Sequence, residues 1–396
     1  MTQWAIPDHF RDELPPSAEQ LERLRRRWLD TLRSHGYQLV APPLLEFVEA
    51  LTVGSGRDLA ERTFTVVDPI TGRTLGVRPD MTPQVARIDA HLLNRSGVTR
   101  LCYAGPVAHA RPAHLLAVRE PWQLGAELYG HAGVDADIEI VGLLLNLLAD
   151  AGLPRVRVEL SHMGIFRALT HAMAAEEAER LFALLAAKNR ADLARFLADG
   201  PQEAAITQAF LWLPHAYGGS EVLSAARRQL PPWPAVTSAL DELATVVAAL
   251  DGQGAEVGID LADLRGYHYH TGLMFAVFVP GGASAVALGG RYDAMGATFG
   301  RARPATGFSI DLREVVSFLP VAPLPGAILA PALSSVDEAA RASLGQTVAA
   351  LRAAGEVVVA ALPGHPLASW QEAGCDRQLV WRNGCWMVEP LNIKGE

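Results

Sequence analysis

Between residues 37 and 160 the chain alternates strand-like and helical patterns. From about residue 165 to 255 it carries helical spacing alone, and strand patterns resume at Gly258–Asp260. That interruption limits the fold more than any other feature. A sheet has to be assembled from segments on both sides of a block rich in Ala, Leu, Glu and Arg. The block is broken at Gly200-Pro201, Gly218-Gly219 and the Pro-Pro-Trp-Pro run 231–234. It reads as an all-helical insertion in a mixed α+β frame.

The frame can be read element by element. A helix is predicted from Ser17, with Gln20 three residues on as a capping box, Leu21, Leu24, Trp28 and Leu32 on one face, and Gly36 as a left-handed stop. Arg23, Arg25, Arg26 and Arg27 on that helix read as a solvated face opposite the core. A short strand follows over 37–43, ending in Pro42-Pro43. Strand-like segments from Thr63 to Arg78 flank the turn 68–73, a hairpin signal. Helices are predicted over Thr82–Asn94 and Asp137–Ala151, and strands over Arg100–Tyr103, Trp122–Tyr129, 156–160, Leu273–Val279 and Ser284–Leu288. The Pro-rich run 320–325 reads as a linker between a core of residues 1–320 and a small α/β appendage of residues 321–396. The appendage reads as strand Ala327–Leu329, helix Val336–Ala354, strand Val357–Ala361 and a strand pair around Gly384.

Composition narrows the class of function. Of 396 residues 50% are apolar and 19% charged, enough material for a core and too little charge for general disorder. A net charge of −9 argues against a protein whose task is to grip nucleic-acid phosphates. Cys102, Cys375 and Cys385 are too few and too scattered for a disulfide framework or a zinc site, which suits a reducing cytoplasm. The first residues are charged and Pro-rich, unlike a signal peptide. The apolar run Val141–Ala149 is interrupted by Asn146 and too short to span a bilayer. The expectation is a soluble cytoplasmic protein with neither nucleic acid nor membrane as partner.

Motifs for nucleotide and hydrolytic chemistry are missing. There is no GxxxxGK[ST] loop, no GxGxxG after a strand, no GxSxG elbow and no HExxH helix. Residues 66–74 loosely resemble a phosphoribosyl-diphosphate loop, but with a single Asp68, a Pro and no helix start behind them they read as the hairpin turn. His109 and His114 fall in a Pro/Ala-rich loop, and His268 and His270 are placed on one candidate strand. No acidic or Cys partner stands at recognisable spacing, so no metal and no cofactor is expected.

Five segments, in order, resemble the catalytic core of histidyl-tRNA synthetase over about residues 5–318. They are 36–46 (Gly-Tyr-Gln-Leu-Val-Ala-Pro-Pro-Leu-Leu-Glu), 75–82 (Leu-Gly-Val-Arg-Pro-Asp-Met-Thr), 103–127, 264–269 (Leu-Arg-Gly-Tyr-His-Tyr), and 289–295 (Gly-Gly-Arg-Tyr-Asp-Ala-Met) leading to 305–312. The resemblance implies a class II aminoacyl-tRNA synthetase-like antiparallel sheet flanked by helices, dimerised through the first helix and the Pro42-Pro43 strand.

It also implies what has been lost. His109 and Arg111 stand where the synthetase has an arginine on the ATP α-phosphate and a glutamate, and Glu314 stands where a second arginine clamps ATP. Losing two guanidinium groups, one of them to a carboxylate, removes the main electrostatic device for adenylate formation. The amino-acid half matches better. By resemblance Asp80 and Gln123 meet the histidine α-ammonium, with Thr82 beside them. Glu127 reaches the imidazole, Arg265 meets the carboxylate, and Tyr269 and His270 line the imidazole slot. A zwitterion needs this pairing of anions, a cation and a partly apolar slot.

A synthetase core with a histidine-like pocket, no ATP clamps and a shortened C-terminal part is similar to the regulatory subunits of ATP phosphoribosyltransferase. Segments 264–272 and 110–113 fit them better than the synthetases. That resemblance implies no catalytic residues, a short-form ATP phosphoribosyltransferase catalytic subunit as partner, a homodimeric core and L-histidine as effector. The alternative is a histidyl-tRNA synthetase or a related amino-acid-activating enzyme.

Overall fold

The amphipathic spacing near the start becomes the helix Ser17–Ser34, whose Leu21, Leu24, Trp28 and Leu32 are all at most 4% exposed. Its capping box does not form. Ser17 Oγ donates to Glu13 at 2.9 Å, and Gln20 Nε2 reaches the Pro320 carbonyl at 3.1 Å. The arginines on its outer face are neutralised locally, Arg23 by Glu19, Arg25 and Arg26 by Glu22, and Arg27 by Asp150. The computed structural model describes residues 4–391 apart from 53–55, 113–116, 154, 199, 201–202 and 267–268.

The chain divides into two units, one of Ser17–Pro320 with the segment up to Glu13, the other of Val321 onward with Leu14–Pro16. The first contains β1 (Gln38–Leu39), β2 (Leu45–Phe47), β3 (Phe64–Val67), β4 (Thr74–Val77), β5 (Thr99–Pro106), β6 (Trp122–Tyr129), β7 (Val156–His162), β8 (Tyr217–Gly218), β9 (Ala255–Asp260), β10 (Leu273–Phe278), β11 (Ala285–Arg291) and β12 (Ala305–Asp311). Nine of these form one sheet in the order β1-β5-β6-β12-β11-β10-β7-β9-β8. The middle, from β5 to β7, is antiparallel, while β1 joins β5 and β9 joins β7 in parallel. β2, β4 and β3 make a separate small sheet. Its β3–β4 hairpin is closed by the turn expected at 68–73, where Asp68 N donates to the Arg73 carbonyl at 2.9 Å and Thr71 Oγ1 to the Asp68 carboxylate. Residues 66–74 are therefore strand ends and a turn.

Helices Thr82–Arg87 and Val134–Asp150 stand where periodicity placed them, and a π-helical turn, Ile88–Leu93, continues the first. The helical block comprises Met163–Thr170, Ala175–Ala186, Arg190–Ala198, Ala204–Trp212, Glu221–Gln229 and Pro234–Leu250. It is not purely helical, because Tyr217–Gly218 forms β8 at the sheet edge. Nor does it keep a core of its own. Leu181, Leu185, Leu193 and Phe210 belong to the same apolar cluster as Trp28, Leu144, Leu160 and Phe275.

The second unit holds β13 (Ala327–Ala330), β14 (Val358–Ala360), β15 (Cys375–Arg382) and β16 (Cys385–Pro390) in the order β14-β13-β15-β16. Helix Glu338–Ala353 connects the parallel pair β13 and β14. A short helix, Leu367–Glu372, lies between β14 and β15, where periodicity showed nothing. No described helix is long and apolar enough to cross a membrane.

Candidate functional site

Strands β6, β11 and β12 build the floor of a cavity of about 230 Å³. Gln123 and Glu127 are four residues apart on β6, so their side chains leave the same face of the sheet. The segment after β4 brings Asp80 and Thr82 to that face. Arg78 fixes its path by donating to the Pro42 carbonyl at 2.7 Å and the Pro106 carbonyl at 2.9 Å. Asp80 accepts the Thr82 amide at 2.9 Å, a local turn typical of Asp. It also accepts Gln123 Nε2 at 2.8 Å, while Gln123 Oε1 takes the Met81 amide at 2.9 Å. Residues 43 apart in sequence are thereby locked into one polar group.

Glu127 is 1% exposed and ringed by hydroxyls. Thr82 Oγ1 donates to Oε1 at 3.1 Å, Tyr103 OH to Oε1 at 3.0 Å, and Tyr292 OH to Oε2, with Tyr129 OH 3.3 Å beyond Tyr292. Burial pushes its carboxyl up to about 8 against the downward pull of those hydroxyls, and the Asp80 charge adds to the rise. The three tyrosines were not singled out from sequence. Yet Tyr103 opens one of the synthetase-like segments and Tyr292 sits inside another, so the signal was present.

Tyr269 and His270 reach the cavity from a turn and not from a strand. Both amides donate to the Gly266 carbonyl, at 3.0 and 2.9 Å, and Gly266 takes a φ of 76°. Their rings lie 4.2 Å apart. Burial drives the His270 imidazole down to about 4, so it is neutral at ordinary pH. His114 and His268 lie outside the described residues. Among the described residues no three His, Cys, Asp or Glu side chains are grouped to hold a metal ion.

Arg265 does not line this cavity. It lines an adjoining one, where its Nε lies 2.8 and 2.9 Å from the two Asp263 oxygens and its Nη2 bonds the same carboxylate. Asp263 is only two residues away in sequence, and Arg265 shares the adjoining cavity with Asp80, Thr82, Tyr269 and His270. Arg62, at the end of helix Gly56–Arg62, lines both cavities and was missed, since nothing in its neighbourhood marks it as special.

The positions matching the ATP clamps are spent otherwise. His109 is 7% exposed, with Nε2 3.0 Å from the Pro79 carbonyl. Burial and then Arg62 push it down to about 4. Arg111 is on the surface, 3.5 Å from Glu61. Glu314 sits in the first turn of helix Leu312–Ser317 and does not line the cavity, whereas the preceding Asp311 does. Burial pushes Asp311 up to about 6. The site thus offers hydrogen-bonded carboxyls, neutral imidazoles and one guanidinium, a set suited to holding a zwitterion and poorly suited to a triphosphate.

Comparison with known proteins fits this geometry. The histidyl-tRNA synthetase family model matches residues 9–315, and a model described as the ATP phosphoribosyltransferase subunit HisZ C-terminal domain matches residues 325–389. An ATP phosphoribosyltransferase regulatory subunit from an Azoarcus species is 55% identical, covering 98% of this chain and 99% of its own. One from Ralstonia pickettii is 53% identical, covering 99% of each. Among solved structures, an ATP phosphoribosyltransferase regulatory subunit/histidyl-tRNA synthetase from Bacillus halodurans superposes with a TM-score of 0.82 at 26% identity, over 94% of this chain and 96% of that one. A histidyl-tRNA synthetase from a Nostoc species, at 17% identity and a TM-score of 0.76 over 96% of this chain and 92% of its own, shares the fold. With near-complete coverage at more than half identity, and with both units matched, the chain belongs to the family of ATP phosphoribosyltransferase regulatory subunits.

Proposed function

We propose that this chain serves by binding and not by chemistry of its own. In this reading it joins a short-form ATP phosphoribosyltransferase catalytic subunit in the first step of L-histidine biosynthesis, works as a homodimeric core, and carries L-histidine as feedback effector in the cavity of Asp80, Thr82, Gln123, Glu127, Tyr269 and His270. The observation that carries the reading is His109. Where an ATP-binding relative needs a cation, this chain has a buried neutral imidazole bonded to the Pro79 carbonyl. A triphosphate would meet the Asp311 and Asp80 carboxylates there, with Arg62 as the one guanidinium among the described residues lining the cavity to offset them.

Any histidine effect requires the ligand to favour one conformation of the complex over another, because equal affinity shifts nothing. The test is reconstitution. The purified chain should show no histidine-dependent ATP–pyrophosphate exchange, and should activate a separately purified short-form catalytic subunit in a histidine-sensitive way. Exchange above background would favour the synthetase reading instead.

A further inference from the structure

We propose that Arg62, and not Arg265, is the cation that receives the carboxylate of the bound α-amino acid, at the junction of the two cavities. This rests on reading the pocket as an amino-acid site.

The guanidinium groups around the site differ in how they are spent. Arg265 is held on both oxygens of Asp263. Arg78 serves two backbone carbonyls, and Arg119 donates to those of His109 and Ala110 at 3.0 and 2.8 Å. Arg62 forms no ion pair among the described residues, and its buried Nε has no hydrogen-bond partner. A buried donor on a cation left unmatched is unusual in a folded protein and marks a place for an acceptor.

Placement supports the same assignment. The Arg62 carbonyl accepts the Ala110 amide at 2.8 Å, which ties the end of its helix to the segment carrying His109. Its Nη2 lies 3.2 Å from His109 Nδ1 and 2.8 Å from Nε2. The imidazole beneath it is uncharged and so does not compete as an anion or repel as a cation. Arg62, Asp80, Tyr269 and His270 each line both cavities. Arg62 is the one cation among the described residues lining the smaller cavity. One guanidinium together with the Asp80 and Asp311 carboxylates in a single cavity can take the carboxylate and the ammonium of the same small molecule. A dianionic phosphate ester fits less well, because Asp80 and Asp311 share its space.

Calorimetry on the full-length protein tests this with L-histidine, with histidinol, which replaces the carboxylate by an alcohol, and with ATP. Wild type should prefer L-histidine to histidinol by at least about thirtyfold, the lower end for one partner of a buried charge pair. Arg62→Gln should erase that preference by weakening L-histidine alone, and Arg62→Lys should restore part of it. Arg265→Gln should leave L-histidine affinity within threefold. Loss of histidine binding in Arg265→Gln with retention in Arg62→Gln overturns the assignment. So does an equal loss of both ligands in Arg62→Gln and Arg62→Lys, or an ATP affinity that depends on Arg62 while that for histidine does not. Wild type that binds no histidine overturns the pocket reading itself, and the assignment with it.

Discussion

Glu127 on β6 and Gly307 on β12 face each other across the ladder, and a Cβ placed on Gly307 would overlap the carboxylate oxygen Oε2 of Glu127. The glycine is the room into which the buried carboxyl turns to meet Tyr292. Gly307→Ala should push Glu127 off that hydroxyl, cost about 1–3 kcal/mol of stability as an overpacking change, and abolish ligand binding. Urea unfolding and histidine calorimetry on the variant check both parts.

Ion pairs here should differ widely in worth. Asp89 and Arg303 are buried, with Arg303 Nη1 2.9 and 3.0 Å from the two carboxylate oxygens, and they join the π-helical turn to the segment before β12. Asp89→Asn leaves a buried guanidinium without its counter-charge and should cost about 3–5 kcal/mol. Glu19→Ala breaks an exposed pair with Arg23 on the first helix and should cost less than about 1 kcal/mol. Equilibrium unfolding of the two variants side by side gives the comparison.

Stability should respond to pH from two sides. Glu127, ordinarily near 4.5, is raised to about 8, so in between the folded chain keeps a proton that the unfolded chain has released. Its contribution is complete below the ordinary value and is lost as pH rises through 8. Relative to Glu127→Gln, wild type should lose about 2 kcal/mol between pH 6.5 and 8, from a slope of about 1.4 kcal/mol per unit. His270 runs the other way. Depressed from 6.5 to about 4, it contributes stability above pH 6.5 that is lost as pH falls towards 4, a loss that His270→Asn should remove. Unfolding midpoints across pH 4–8 for the three proteins read out each limb.

The homodimer we propose has to use other surface than the apolar stripe of the first helix, which is buried within its own protomer. What remains beside it is β1, an edge strand with Leu39 60% exposed, and Leu44 and Leu45 just beyond at 48% and 43%. An uncovered apolar edge favours pairing with a second chain. Light scattering should give a dimer for wild type and a folded monomer for Leu39→Glu combined with Leu45→Glu.

Much of this molecule was legible before any tertiary contact was known. Helix Ser17–Ser34, the β3–β4 hairpin and the strands on either side of the helical block followed from local periodicity, because 3.6- and 2-residue repeats are written into neighbouring residues. Asp80, Gln123 and Glu127 were found through segments whose order resembled a known core, and the fold brings them to one face. What the sequence could not settle was which side chain each charged group would choose. Arg265 went to Asp263, His109 to the Pro79 carbonyl, and Arg62 came to the cavity from a helix with no distinguishing motif. Those choices depend on distances and on exclusion of water, which exist only once strands far apart in the chain have packed together. Periodicity determined the elements, and the low-dielectric interior they enclose decided which partner each charged group took.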